Sequence, residues 1–188
     1  DLLNNKKGMD DPKVEASRVY DRVVVGSTVE ELNFIKRLML TRGQQGKQAW
    51  REIQGMAARA ITEKSTRGKG ADDLPIVSAF QLNKSVMDLD RTGKLDVLFD
   101  KSQANRIRDL NDVIAYVKTQ PPNTLINNSG STIMLGWLLG EAMMSAAFTG
   151  GSVPPVIGIT LKYMKDKISN AKIKAKINRF INYTPANN

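Results

Sequence analysis

Apolar residues recur at three- and four-residue spacing along nearly the whole chain, and a cap or a breaker punctuates each run. In "STVEELNFIKRLMLTRG" the residues Leu32, Ile35, Leu38 and Met39 fall on one helical face. Before that run, Ser27/Glu30 and Thr28/Glu31 both have the spacing of a capping box, and Gly43 closes it. "GKQAWREIQGMAARAITEK" carries Ala49, Trp50, Ile53, Met56, Ala57, Ala60 and Ile61 in the same periodicity. The pattern returns with Phe80, Leu82, Val86, Met87 and Leu89, and again after the cap Asp100 with Ile107, Leu110, Ile114 and Val117. Sustained alternation of apolar and polar residues, the mark of a half-buried strand, is missing. The β-like runs, Val23-Val24-Val25 and 153–159, are short. The spacing predicts an all-α helical bundle of about seven or eight helices.

The breakers set the organisation. Asp10-Asp11-Pro12 reads as the opening of a first helix carrying Val14, Val19, Val23 and Val24, with Gly26 at its end. Residues 64–73, "KSTRGKGADD", are glycine-rich and charged, which predicts a loop. That loop separates an N-terminal helical subdomain, 1–70, from a C-terminal one, 71–188, within what could be one domain overall. Pro75-Ile76-Val77-Ser78 reads as a helix opening, and Pro121-Pro122 as a stop. The polar linker "NTLINNSGS" then leads to Ser131, a cap for the apolar segment that follows, and Gly150-Gly151 with Pro154-Pro155 breaks the chain once more.

The chain has 188 residues, 41% hydrophobic and 25% charged, a globular composition. It contains neither cysteine nor histidine. Disulfides, Cys/His zinc sites, thiol nucleophiles and Ser-His-Asp triads are thereby excluded, and no cofactor or metal is expected. Catalysis would fall to carboxylates, Lys or Tyr, and no carboxylate pair sits in the apolar setting a glycosidase needs. Gly68-Lys69-Gly70 lacks the glycine spacing and the following Ser/Thr of a phosphate-binding loop. Asp109 and Asp112, among Arg106 and Arg108, read as surface ion pairing. The chain opens at Asp1 without a signal-peptide pattern, as expected for part of a longer polypeptide.

"DLDRTGKLD", residues 88–96, imitates the first half of a calcium loop: Asp88, Asp90 and Thr92 stand at the first, third and fifth positions and Gly93 at the sixth. The twelfth position, where a bidentate carboxylate is required, is Phe99. A helix end uses every residue better, with Gly93 left-handed after the last turn and Asp96 or Asp100 capping the next element.

The same stretch carries a resemblance. "LDRTGKLDVLFDKSQANRIRDLNDV", followed by "TQPPNTLINNSGS" and an apolar small-residue segment, resembles a region near the C-terminus of large internal virion proteins. These are the DNA-transfer, or ejection, proteins of short-tailed bacteriophages and related prophages. The similarity spans residues 14–183, from near "GKQAWREIQG" to "VPPVIG" and the basic helix beyond. It implies a protein packaged in the capsid and delivered with the genome into the host envelope. It also implies other virion proteins and further copies of the chain as partners, and it transfers no site residues.

Two segments carry the remaining candidates. "IMLGWLLGEAMMSAAF", residues 133–148, is a near-fully apolar central helix, shorter than the ~20 residues that span a bilayer and interrupted by Glu141. Gly136 and Gly140 give it a small face for close helix packing. With 153–161 it forms a bundle core or a hairpin able to open against the host membrane. Trp50 and Trp137 read as core anchors. Residues 162–179 hold seven basic residues and one acidic one, +6 of the net +9. They predict one basic C-terminal helix, with Leu161, Met164, Ile168, Ala171 and Ala175 in one buried stripe and Ile173, Ile177 and Phe180 in a second. Lys162, Lys165, Lys167, Lys172, Lys174, Lys176 and Arg179 are then the candidate contacts to DNA phosphates or anionic lipid, without sequence readout.

The reading is a non-enzymatic module of an ejection protein, acting in particle assembly and genome transfer. A general DNA- or anionic-membrane-binding helical module, a calcium-binding helical domain and a lytic enzyme are the alternatives.

Overall fold

The computed structural model describes residues 16–69, 75–122, 124, 135 and 155–182. The fold is all-α, as the spacing requires. Helix α1 (Ala16–Val19) runs straight into a π-helical segment, Tyr20–Val25, where the Gly26 N–H bonds the Asp21 carbonyl five residues back at 2.8 Å. Its last carbonyls are held from a distant helix: Lys94 Nζ donates to Val24 O at 2.8 Å and to Val25 O at 2.9 Å.

Of the two possible capping boxes before α2 (Val29–Leu40), Thr28/Glu31 forms. The Glu31 N–H reaches Thr28 Oγ1 at 3.2 Å and the Thr28 N–H reaches Glu31 Oε2 at 2.7 Å, a cap contributing about 1 kcal/mol. The stripe on α2 is narrower than its spacing predicts. Leu32 is buried and Ile35 and Met39 pack at its edge, but Leu38 is 48% exposed. The reason is position: α2 rests on its neighbours along one side only, against α3 (Gly43–Lys64) and α5 (Lys94–Leu98). Gly43, with φ +65°, begins α3, so it makes the turn between the two helices. Three residues on, a Cβ at Gly46 would stand 1.7 Å from the Met39 carbonyl oxygen, so glycine is required where α2 ends against α3.

The loop expected over 64–73 is corrected across 64–69, and so is the helix opening expected at Pro75; residues 70–73 lie outside the described residues. Strands β1 (Thr66–Lys69) and β2 (Pro75–Val77) pair antiparallel, Thr66 opposite Val77 and Lys69 opposite Pro75. The Ser78 N–H closes the hairpin base on Ser65 O at 2.9 Å. Helix α4 (Ala79–Arg91) starts only after it, capped by Ser78. Leu82, Val86 and Leu89 are buried on α4, whereas Met87, expected in the core, is 55% exposed because it faces away from α6 (Lys101–Thr119). Asp100 caps α6 in a second capping box with Gln103.

Between α4 and α6, the short α5 brings Leu95, Leu98 and Phe99 fully inside. Its C-terminal carbonyls are satisfied from the N-terminal helices: Lys36 Nζ donates to Val97 O at 2.6 Å, and Gln54 Nε2 to Leu98 O. Burial lowers the pKa of Lys36, which also lies over the ring of the buried Trp50, 5.6 Å from its centroid. A single apolar cluster therefore runs from Tyr20 through Trp50, Phe99 and Ile107 to Phe180, on both sides of the hairpin.

One basic C-terminal helix was expected, and two are present: α7 (Pro155–Lys167) and α8 (Ala171–Ile181). Asn170 breaks the run by accepting the N–H groups of Lys172 and Ile173 at 3.0 and 3.2 Å. The change of direction leaves Leu161, Met164 and Ile168 buried but exposes Ala171 and Ala175. Within the apolar segment 133–148, Leu135 is helical and buried; Gly136, Trp137, Gly140 and Glu141 lie outside the described residues. Among the described residues, no helix is long and apolar enough to cross a membrane.

Candidate functional site

Helix α8 is seated on α6 by Ile173, Ile177 and Phe180. That stripe fixes where the flanking cations go. Lys176 and Arg179 meet Asp109 and Asp112, one turn apart on α6. Arg179 Nε and Nη2 bond the two Asp109 oxygens at 2.8 and 2.7 Å, and this hydrogen bonding raises the arginine's pKa further. Lys176 Nζ is paired with Asp112 and stands 3.7 Å from Asp109 Oδ1. Beneath them the buried Arg106 guanidinium stacks on Phe180, 4.5 Å from the ring centroid. Together with Ser102 and Asn105 these residues line a cleft of about 500 Å³. Asp109 and Asp112 are ion-paired as expected, but across the fold: Asp109 with Arg179, seventy residues away, and Asp112 with Lys176.

Arg108 serves the calcium-like stretch instead. Its Nη2 lies 2.6 Å from Asp90 Oδ1 and 2.7 Å from Asp96 Oδ2, while Nη1 donates to Asn105 Oδ1 at 3.1 Å. The Arg108 hydrogen bond holds Asp96 below the usual carboxylate range. Asp88 pairs with Arg91 at 3.2 Å, and the Thr92 hydroxyl donates to the Asp88 carbonyl at 2.8 Å. Gly93 is left-handed, φ +73°, and its N–H returns to Asp90 O at 2.9 Å. The stretch is a helix end clamped by an arginine. Among the described residues, no group of three or more acidic side chains is arranged to hold a metal ion.

The seven basic candidates thus divide in two. Lys176 and Arg179 are neutralised by α6 carboxylates. Lys162, Lys165, Lys167, Lys172 and Lys174 make no ion pair among the described residues. Lys165 Nζ donates to Asn178 Oδ1 at 3.1 Å, which ties α7 to α8 without cancelling the charge. Lys167 lies 5.7 Å from the ring centroid of Tyr163, itself 53% exposed. Lys162, Lys167 and Lys172 are exposed, Lys165 and Lys174 half-buried. The α7–α8 pair is therefore a cationic surface with an aromatic side chain in it, suited to a polyanion.

Sequence spacing found the cations but not which of them are neutralised, since the pairing depends on how α8 lands on α6. No family model matches the chain, and no curated protein or solved structure matches it.

Proposed function

We propose that the chain is a non-enzymatic helical module of an internal virion protein of the DNA-ejection type, and that the α7–α8 lysines contact the phosphate backbone of the packaged genome. The observation that carries this reading is the set of five lysines with no ion-pair partner among the described residues, on two short adjacent helices. Five uncancelled cations in so short a stretch exceed what solubility needs, and a lysine is a point charge that meets phosphate without base readout. The resemblance of residues 14–183 to ejection proteins supplies the biological setting: a place inside the capsid, other virion proteins and further copies as partners, and delivery into the host envelope.

The test is binding of the chain to random-sequence duplex DNA. Replacing Lys162, Lys167, Lys172 and Lys174 together by Gln is expected to abolish binding, while Lys176→Gln with Arg179→Gln leaves most of it. Equal loss in both variants overturns the assignment.

Tyr163 favours a second reading, contact with an anionic membrane surface, because an exposed aromatic among lysines suits a headgroup layer. Flotation with anionic vesicles separates the two: a chain that floats with vesicles and ignores duplex DNA is a membrane module.

A further inference from the structure

One stripe of α8 carries three cations, Lys172, Lys176 and Arg179, at i, i+4 and i+7, yet α6 treats them differently. The pairing runs antiparallel: Lys176 meets Asp112, and Arg179 meets Asp109, three residues earlier on α6. Carried one turn further, the same register brings Lys172 opposite Ala115 and Tyr116, where α6 has no carboxylate. Lys172 accordingly makes no ion pair among the described residues. The Asp109 contact has the form a phosphate contact would take. Arg179 Nε and Nη2 present a planar fork, and both arms close on the two Asp109 oxygens as they would on two oxygens of a phosphate. The cleft of about 500 Å³ opens beside both pairs, and Arg179 is itself exposed, so the same cations stand within reach of an anion in solvent.

We propose that Asp109 and Asp112 are an intramolecular stand-in for phosphate, an autoinhibitory contact that limits how much of the α7–α8 surface a DNA backbone engages. The inference rests on the phosphate reading of α7–α8 and adds what regulates it. A backbone lying along the α8 stripe meets Lys172, and then two cations whose counter-charge is already supplied from α6. To use them it must displace a bidentate carboxylate, and the displaced carboxylates then repel the phosphates. Two of the seven cations therefore release no counterions on binding, and affinity is lower and less salt-dependent than all seven would give. The seating of α8 does not depend on these pairs alone, because Ile173, Ile177 and Phe180 bury its other face against the bundle. Removing the carboxylate charge is therefore expected to free the cations and leave the helix in place.

The experiment is the salt-dependent affinity of the full chain for random-sequence duplex DNA, with Asp109→Asn and Asp112→Asn introduced together. The amide keeps the shape of each side chain and removes its charge. The wild type is expected to show a log–log slope of about −4.5, from five lysines, and the variant about −6, with affinity raised at least about ten-fold at about 0.1 M salt. Asp112→Asn alone, at an exposed position, is expected to give about half of this steepening. Adding Lys176→Gln and Arg179→Gln to the double variant is expected to return slope and affinity to wild-type values. Glu52→Gln with Glu63→Gln, at exposed positions on α3, changes the net charge equally and is expected to leave the slope unchanged. Asn variants with the wild-type slope overturn the proposal. So does a gain that the Glu52 and Glu63 variant reproduces, or one that survives the loss of Lys176 and Arg179. Linear inorganic polyphosphate, a phosphate chain without a duplex, separates this failure from failure of the DNA reading. A wild type that binds polyphosphate but not DNA overturns the DNA reading, and the proposal then stands or falls by the same slope change on polyphosphate. A chain that binds neither, with or without the two Asn, overturns both.

Discussion

Arg179 of α8 holds Asp109 of α6 by two parallel hydrogen bonds, 2.8 and 2.7 Å long, across seventy residues of sequence. Asp109 is the sheltered partner, its side chain 13% exposed against 61% for Arg179. The pair fixes the angle at which the last helix lies on the bundle, and it removes one cation from the surface that α8 presents. Arg179→Ala leaves a sheltered carboxylate without its bidentate partner, whereas Asp109→Ala leaves an arginine already in water. A double-mutant cycle is expected to give a coupling of about 0.5–1 kcal/mol, the range of a well-formed exposed pair. Chemical denaturation of the four variants measures it.

Two glycines are required for different reasons, and their alanine variants separate them. Gly46→Ala drives a methyl group into the Met39 carbonyl and forces α2 off α3, with an expected loss of about 1–3 kcal/mol. At Gly93 the space is adequate, Val29 Cγ2 lying 3.4 Å from the added carbon, so the cost is the left-handed backbone alone, about 1–2 kcal/mol. Gly93→Asn, which tolerates that conformation, is expected to recover part of it. Thermal melts of the three variants test the distinction.

Arg108 predicts a pH dependence through Asp96. The folded-state pKa of Asp96 is lowered, so the stabilisation is present above the ordinary value of 3.8 and is lost as pH falls through the lower folded value. Asp96→Asn is expected to flatten the acid limb of the stability curve below about pH 4 while lowering stability at neutral pH. An acid limb unchanged by the substitution would contradict the clamp. With Asp90 and Asp96 both held by Arg108, millimolar calcium is expected to leave the wild-type melting temperature where it is.

Much of this architecture was legible in the residues. The Thr28 and Asp100 caps, the core positions of α3 and α6, and the left-handed Gly93 all follow from local spacing and local chemistry. What spacing missed depends on neighbours. Leu38 and Met87 satisfy the helical period, yet no helix among the described residues lies over them, so period alone overstates the buried face. The β1–β2 hairpin forms from pairing between Thr66 and Val77, a contact that neither short segment signals. The α7–α8 break was readable in principle: Asn170 before an apolar run is a helix start, hidden here by lysines that continue on both sides. In the candidate site, all seven cations were visible, but the neutralisation of Lys176 and Arg179 is a tertiary fact.

The most direct measurement is the affinity of the chain for random-sequence duplex DNA across a series of salt concentrations. If Lys162, Lys165, Lys167, Lys172 and Lys174 each neutralise one phosphate, log K falls linearly with log salt at a slope of about −4.5, and their replacement by Gln brings the slope close to zero. A slope that Lys176→Gln with Arg179→Gln reduces as much, or an affinity indifferent to salt, would contradict a phosphate-directed surface on α7 and α8.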